Sequence, residues 1–213
     1  GTITDQSANF YNWSGDGGGA ESGTVTSEQA SNGTKSLYVT TGNDFIFDFD
    51  GGVSGGTHTW QYNLYLNDGS TGFLGLMSSG PQDDVTFGAG LYINEPNNAS
   101  GSGIFIGGAI TGDFFEIPEG EWVTVAMVMN LDEDTMSVTV GGTYTGSITG
   151  TYTETITGIA GIKYNADATF HYLDAFKEKI DGDTFIDKAG GFVDHSHPIS
   201  PSRTSGTDAV DAL

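Results

Sequence analysis

The sequence of 213 residues contains no cysteine, which excludes a disulfide framework, a thiolate metal site and a cysteine nucleophile. Cations are almost as scarce: 6 Lys plus Arg stand against 28 Asp plus Glu, for a formal charge of −22. Charged residues make up only 16% of the chain, against roughly 25% in ordinary globular proteins, so the acidity comes from missing bases. Binding to a phosphate backbone needs clustered Lys and Arg to displace counterions. Nucleic acid is therefore not an expected partner, and an anionic membrane surface is disfavoured for the same reason. No apolar run approaches the roughly 18 residues of a helical membrane span. The opening Gly1-Thr2-Ile3-Thr4-Asp5 lacks the basic-then-apolar pattern of a secretory signal.

What is abundant is alternation. Between Thr57 and Asn67, Trp60, Tyr62, Leu64 and Leu66 share one face, while Thr59, Gln61, Asn63 and Tyr65 share the other. This period of two predicts a strand with one buried face and one polar face that carries an aromatic. Similar patterns predict strands at 36–40, 45–49, 73–77, 85–94, 103–107, 113–117, 122–130, 136–140, 151–157, 158–164 and 169–177. No window of helical length shows a sustained 3.6-residue apolar stripe, so the chain reads as all-β. The 34 glycines cluster at expected turns, as in Gly15-Asp16-Gly17-Gly18-Gly19, Gly51-Gly52 and Gly141-Gly142, where positive φ is often needed. The run near residue 17 lacks the Lys-Ser/Thr of a phosphate loop.

Composition changes after residue 180. Residues 1–160 hold 19 acidic residues and Lys35 as their one cation, a net −18, whereas residues 161–213 carry a net −4. From Asp181 the chain has too few apolar residues for a core of its own. It reads as an extended arm (181–213) following a body (1–180). Residues 183–213 are expected to contact a neighbouring subunit, with docking on the chain's own body as the alternative.

Two segments carry a family resemblance. Glu121-Trp122-Val123-Thr124-Val125-Ala126-Met127, followed by Asn130-Leu131-Asp132 and Val138-Thr139-Val140-Gly141-Gly142, resembles the W-x-x-V…D…V-x-G hairpin of laminin G-like and concanavalin A-like jelly rolls. Ala168-Thr169-Phe170-His171-Tyr172-Leu173-Asp174-Ala175-Phe176 is similar to the closing strand of β-sandwich carbohydrate-binding modules. Trp13, Ala20-Glu21 and Ala30-Ser31-Asn32-Gly33-Thr34-Lys35-Ser36-Leu37 resemble the opening of such modules in secreted bacterial proteins. The resemblance implies an all-β, two-sheet antiparallel jelly roll. It also implies a structural calcium between Asp174 and a residue near the N-terminus, for which Glu21 and Asp16 are the candidates.

Enzymes of this superfamily that cleave glycans carry paired carboxylates on one strand, in a Glu-x-Asp-x-x-Glu or similar pattern. The nearest match is Glu116, Glu119 and Glu121, but Pro118 would interrupt a central strand, so the cluster reads as an acidic loop. Asn130, Asp132 and Asp134 alternate as calcium ligands do, yet Thr135 replaces the glycine an EF-hand needs, and a polar hairpin turn is expected. His195 and His197 are too few for a metal site. His171 reads as a hydrogen-bonded sheet histidine. Sugar binding needs aromatic faces beside Asn, Asp or Gln. Trp13, Tyr92 and Asn94 are the leading glycan-contact candidates, with Tyr11, Tyr65, Tyr144, Asn97 and Asn98 behind them.

With no catalytic constellation in view, the chain is expected not to be an enzyme. The first expectation is a structural module of a repeating assembly, such as a virion decoration or fibre protein or an extracellular surface subunit, located on a virion or cell surface. The alternative is a carbohydrate-binding module of a secreted bacterial protein, and a glycoside hydrolase is the minor one.

Overall fold

The computed structural model describes residues 1–3, 10–13, 21–53, 55–77, 87–94, 102–106, 109–110, 115–149, 159–168, 170–180 and 186–187. Among these lie fifteen strands: β1 (Phe10–Asn12), β2 (Thr24–Thr26), β3 (Ser36–Thr40), β4 (Asp44–Val53), β5 (Thr57–Leu66), β6 (Thr71–Met77), β7 (Phe87–Ile93), β8 (Gly103–Ile106), β9 (Ala109–Ile110), β10 (Trp122–Asn130), β11 (Thr135–Val140), β12 (Thr143–Thr149), β13 (Ile159–Ala168), β14 (Phe170–Ile180) and β15 (Ile186–Asp187). A seven-stranded sheet has the order β1-β4-β13-β6-β7-β8-β9. The eight-stranded sheet runs β12-β11-β10-β5-β14-β3-β2, with β15 beside β14. The expected two-sheet antiparallel sandwich is what forms.

Alternation decides which residues enter the core. On β5, Trp60, Tyr62, Leu64 and Leu66 are almost wholly buried. With Val125, Met127 and Met129 of β10 they form one cluster with Phe45, Phe47, Leu74, Leu76, Leu91 and Ile93 of the opposite sheet. Burying an aliphatic or aromatic side chain of this size stabilises by roughly 1.5–3 kcal/mol, so the inner faces fix both registers. The two last long strands each insert within one of the sheets. β13 inserts between β4 and β6, and β14 inserts between β5 and β3.

Gly141 and Gly142 link β11 to β12 with φ of 59° and 80°. A two-residue hairpin with both central residues at positive φ matches the right-handed twist of its strands. Gly51 and Gly52 depart from expectation: β4 continues through them to Val53. A strand over 113–117 is not seen in the described part, where Phe115 makes one isolated bridge to Ser102 and Pro118 follows. The predicted strand at 151–157 and the Gly-rich run at 15–19 lie outside the described residues. Past residue 180, Ile186 and Asp187 pair with Glu178 and Lys177 of the chain's own sheet. The first described part of the arm therefore docks on its own sandwich, as in the alternative reading. Residues 188–213, with His195 and His197, lie outside the described residues.

Candidate functional site

The outward face of the eight-stranded sheet carries four aromatic residues in a single cross-strand row. Register pairs Trp122 of β10 with Tyr65 of β5, Tyr65 with Tyr172 of β14, and Tyr172 with Tyr38 of β3. Directly opposed residues on adjacent strands share a face and touch, and the rings do so here. Centroids are 5.6 Å apart for Trp122 and Tyr65, 5.9 Å for Tyr65 and Tyr172, and 5.3 Å for Tyr172 and Tyr38. Tyr38, Tyr65 and Trp122 are partly exposed, while Tyr172 is flanked on both sides and is 5% exposed. Tyr38, Tyr65 and Tyr172 are each flanked at i−1 and i+1 by buried residues, and Trp122, at the start of β10, is followed by buried Val123, so alternation leaves one ring per strand on the outer face.

Polar groups border this row. The Tyr172 hydroxyl donates to Glu28 Oε2 at 3.2 Å. Burial, reinforced by this bond to Glu28, pushes the Tyr172 hydroxyl up to about 12, so it stays a neutral donor. In the next row Asn63 lies between Thr124 and Asp174. The Thr124 hydroxyl donates to Asn63 Oδ1 at 2.9 Å, and Asn63 Nδ2 donates to Ser31 Oγ at 2.8 Å. The surface thus pairs apolar ring faces with fixed hydroxyl, amide and carboxylate groups, the combination that sugar C–H faces and hydroxyls require.

A second feature is a pocket of about 660 Å³ lined by the turn Gly69–Thr71, Asn94 and the segment Glu116–Glu119. Glu119 Oε1 accepts the Gly69 N–H at 3.1 Å, and Glu116 is exposed. Asn94 has a φ of 44°. Its N–H donates to Ser102 Oγ, and its Oδ1 accepts the same hydroxyl, each at 3.0 Å. As expected from Pro118, the acidic cluster is a loop and not a strand of paired carboxylates.

The other sequence candidates are dispersed. Tyr92 is on β7 of the seven-stranded sheet, where it meets Phe73 at 5.2 Å. Trp13 follows β1 of that same sheet, its N–H bonded to the Asp44 carbonyl at 3.0 Å. Tyr65 and Tyr92 therefore lie on opposite layers and cannot serve one ligand together. Tyr144 is placed by register opposite Thr139, two rows from the aromatic row. Asn97 and Asn98 lie outside the described residues. Tyr38, Tyr172 and Trp122 were missed as binding residues. Their own strands were legible, but the pairing that aligns them is long-range.

The calcium candidates Asp174 and Glu21 sit on different segments of the fold. Asp174 lies opposite Asn63 in the middle of the eight-stranded sheet. Glu21 precedes β2, and its carbonyl accepts the Asp44 N–H at the start of β4 in the other sheet. Asp16 lies outside the described residues, and among the described residues no group of three or more His, Asp or Glu side chains could hold a metal. Asn130 caps the 130–134 turn instead, its Oδ1 accepting the N–H groups of Asp132 and Glu133.

No protein-family model and no curated protein matches the chain. Solved structures do. A sialidase is similar with a TM-score of 0.51 at 10% identity, over 70% of this chain and 15% of the sialidase, so the chain spans a small part of that protein. An endo-beta-1,4-glucuronan lyase from the fungus Trichoderma reesei gives 0.51 at 12% identity, over 74% of this chain and 87% of the lyase. The Emp46p carbohydrate recognition domain in its metal-free form gives 0.50 at 15% identity, over 76% and 87%. The chain shares the two-sheet antiparallel β-sandwich fold of these matched regions. The expectation that the chain is not an enzyme is corrected by the same comparison. A lyase and a sialidase share the fold, so the missing Glu-x-Asp-x-x-Glu pattern does not exclude catalysis.

Proposed function

We propose that this domain binds glycan chains through the Tyr38–Tyr172–Tyr65–Trp122 row. The observation that carries the reading is the alignment of four aromatic residues on one outward face, bordered by Asn63, Thr124 and Glu28. Solvent-facing strand positions are usually polar in an antiparallel sandwich, so a continuous aromatic row there is an apolar surface suited to a ligand. The same fold in a carbohydrate recognition domain accords with this reading. It takes the place of the assembly role first expected.

A panel of soluble polysaccharides tested by affinity electrophoresis, followed by calorimetry on the tightest, provides the test. Trp122→Ala and Tyr65→Ala should each weaken binding at least about tenfold, or roughly 1.4 kcal/mol. Binding that is unchanged in both variants would remove the row as the site.

A further inference from the structure

We infer that the aromatic row takes single, uncharged glycan chains and discriminates against anionic ones, an inference that rests on the glycan-binding reading. Ring geometry supplies the first part. Successive rings are inclined to each other by 51°, 77° and 61° along the row, so no two neighbours lie in one plane. A flat polysaccharide surface would need coplanar rings. The partly exposed rings of Tyr38, Tyr65 and Trp122 instead offer separate faces on which sugars of one chain can seat in turn.

Charge supplies the second. Glu28 contacts Tyr172 directly, and the exposed Glu121 immediately precedes Trp122. Asp174 takes the row position beside Asn63. Cations are farther along the strands. Lys177 and Lys179 are placed opposite Gln61 and Thr59, four and six residues from Tyr65. At about 3.3 Å per residue the nearer backbone position is roughly 13 Å away. Lys35 precedes Tyr38 by three residues, roughly 10 Å along the chain. Glu28, bonded to Tyr172, and Glu121, next to Trp122, are closer to the row than the backbone positions of these lysines, so a carboxylate or sulfate on the rings would meet negative charge first. The whole-chain charge of −22 repels such a ligand further at low ionic strength.

The test compares one backbone in two charge states. An uncharged glucan, mannan or galactan that binds is oxidised at its primary hydroxyls to carboxylates, and both forms are titrated into wild type, Trp122→Ala and the double variant Glu28→Gln/Glu121→Gln at low and high salt. The expected result is at least about tenfold weaker binding of the oxidised chain at low salt, partly restored at high salt as the repulsion is screened. The double variant should narrow the gap between the oxidised chain and its uncharged parent by about five- to tenfold. If the oxidised chain binds as tightly as its parent, and Trp122→Ala still abolishes both, the charge inference is overturned while the glycan-binding reading stands. If no glycan binds, or binding ignores Trp122→Ala, both fall.

Discussion

The Tyr164 hydroxyl lies 3.3 Å from His171 Nδ1, joining β13 of one sheet to β14 of the other. Tyr164 is 2% exposed and His171 is 0% exposed, and their rings meet edge to face at 5.5 Å. His171 Nε2 has no protein hydrogen-bond partner among the described residues. A second proton on this ring would thus place an unpaired charge between two apolar sheet faces. Burial lowers the His171 imidazole to about 4 from its ordinary value near 6.5.

Acid sensitivity follows with a definite sign. The folded state binds the His171 proton less readily than the unfolded chain does, so the neutral ring's contribution is complete above about pH 6.5. It is lost progressively as pH falls toward about 4, a total of about 3 kcal/mol. Carboxylates of so acidic a chain also take up protons at the lower end of this window, relieving self-repulsion. The measurement is therefore a difference: urea unfolding of wild type and His171→Leu at pH 7.5, 6.0, 5.0 and 4.5. Wild type should lose stability relative to the variant as pH falls. Parallel curves would show that His171 is not the acid-sensitive group.

Much of this was legible before the fold was known. Tyr65 stood out because β5 alternates so regularly that its solvent face could be read residue by residue, and His171, read as a hydrogen-bonded sheet histidine, lies on β14 with its described bond reaching Tyr164 of the other sheet. Tyr172 and Trp122 could not be joined to Tyr65, because β14 reaches β5 and β10 reaches β5 by pairings separated by more than fifty residues. Local pattern gives a strand's faces; it does not give its neighbours. The same limit grouped Tyr92 and Asn94 with Trp13 on composition, while the topology sets Tyr92 and Trp13 on the seven-stranded sheet and turns Asn94 toward the Glu116–Glu119 pocket.

Removing the aromatic row should separate binding from folding. Cross-strand aromatic pairs on an open face contribute roughly 0.2–1 kcal/mol each, whereas core truncations cost roughly 2–5 kcal/mol. Tyr65→Ala breaks two ring contacts, and Trp122→Ala breaks one. Each variant should unfold cooperatively with a loss of no more than about 2 kcal/mol. Met127→Ala, from the buried face of β10, should lose more than either. If Trp122→Ala destabilises as much as Met127→Ala, the row is a packing element first.

Gly23 sets how closely the N-terminal segment approaches β3. A Cβ there would lie 2.7 Å from Leu37 Cδ1, 3.0 Å from Leu37 Cγ and 3.2 Å from the Tyr38 carbonyl oxygen. Leu37 is 1% exposed and belongs to the core cluster, so its side chain has little room to retreat. Gly23→Ala should therefore cost about 1–3 kcal/mol through overpacking, despite the usual gain from a less flexible unfolded chain. Equilibrium unfolding measures it, and a neutral or stabilising result would mean that β2 and its approach can shift outward freely.

Glu119 separates the pocket from the aromatic row as a place for ligand. Its Oε1 accepts the Gly69 N–H in the turn between β5 and β6, and Gln at this position retains a carbonyl oxygen that can accept the same bond. Glu119→Gln should thus change stability by less than about 0.5 kcal/mol, the usual range for exposed substitutions. Glu119→Ala should cost about 1 kcal/mol by leaving that turn N–H to solvent. If glycan binds at the aromatic row, Glu119→Gln alters affinity less than about twofold, because the carboxylate lines a different surface and its charge is screened. A large loss of binding in Glu119→Gln, with Trp122→Ala unaffected, would move the binding site from the sheet face to the pocket.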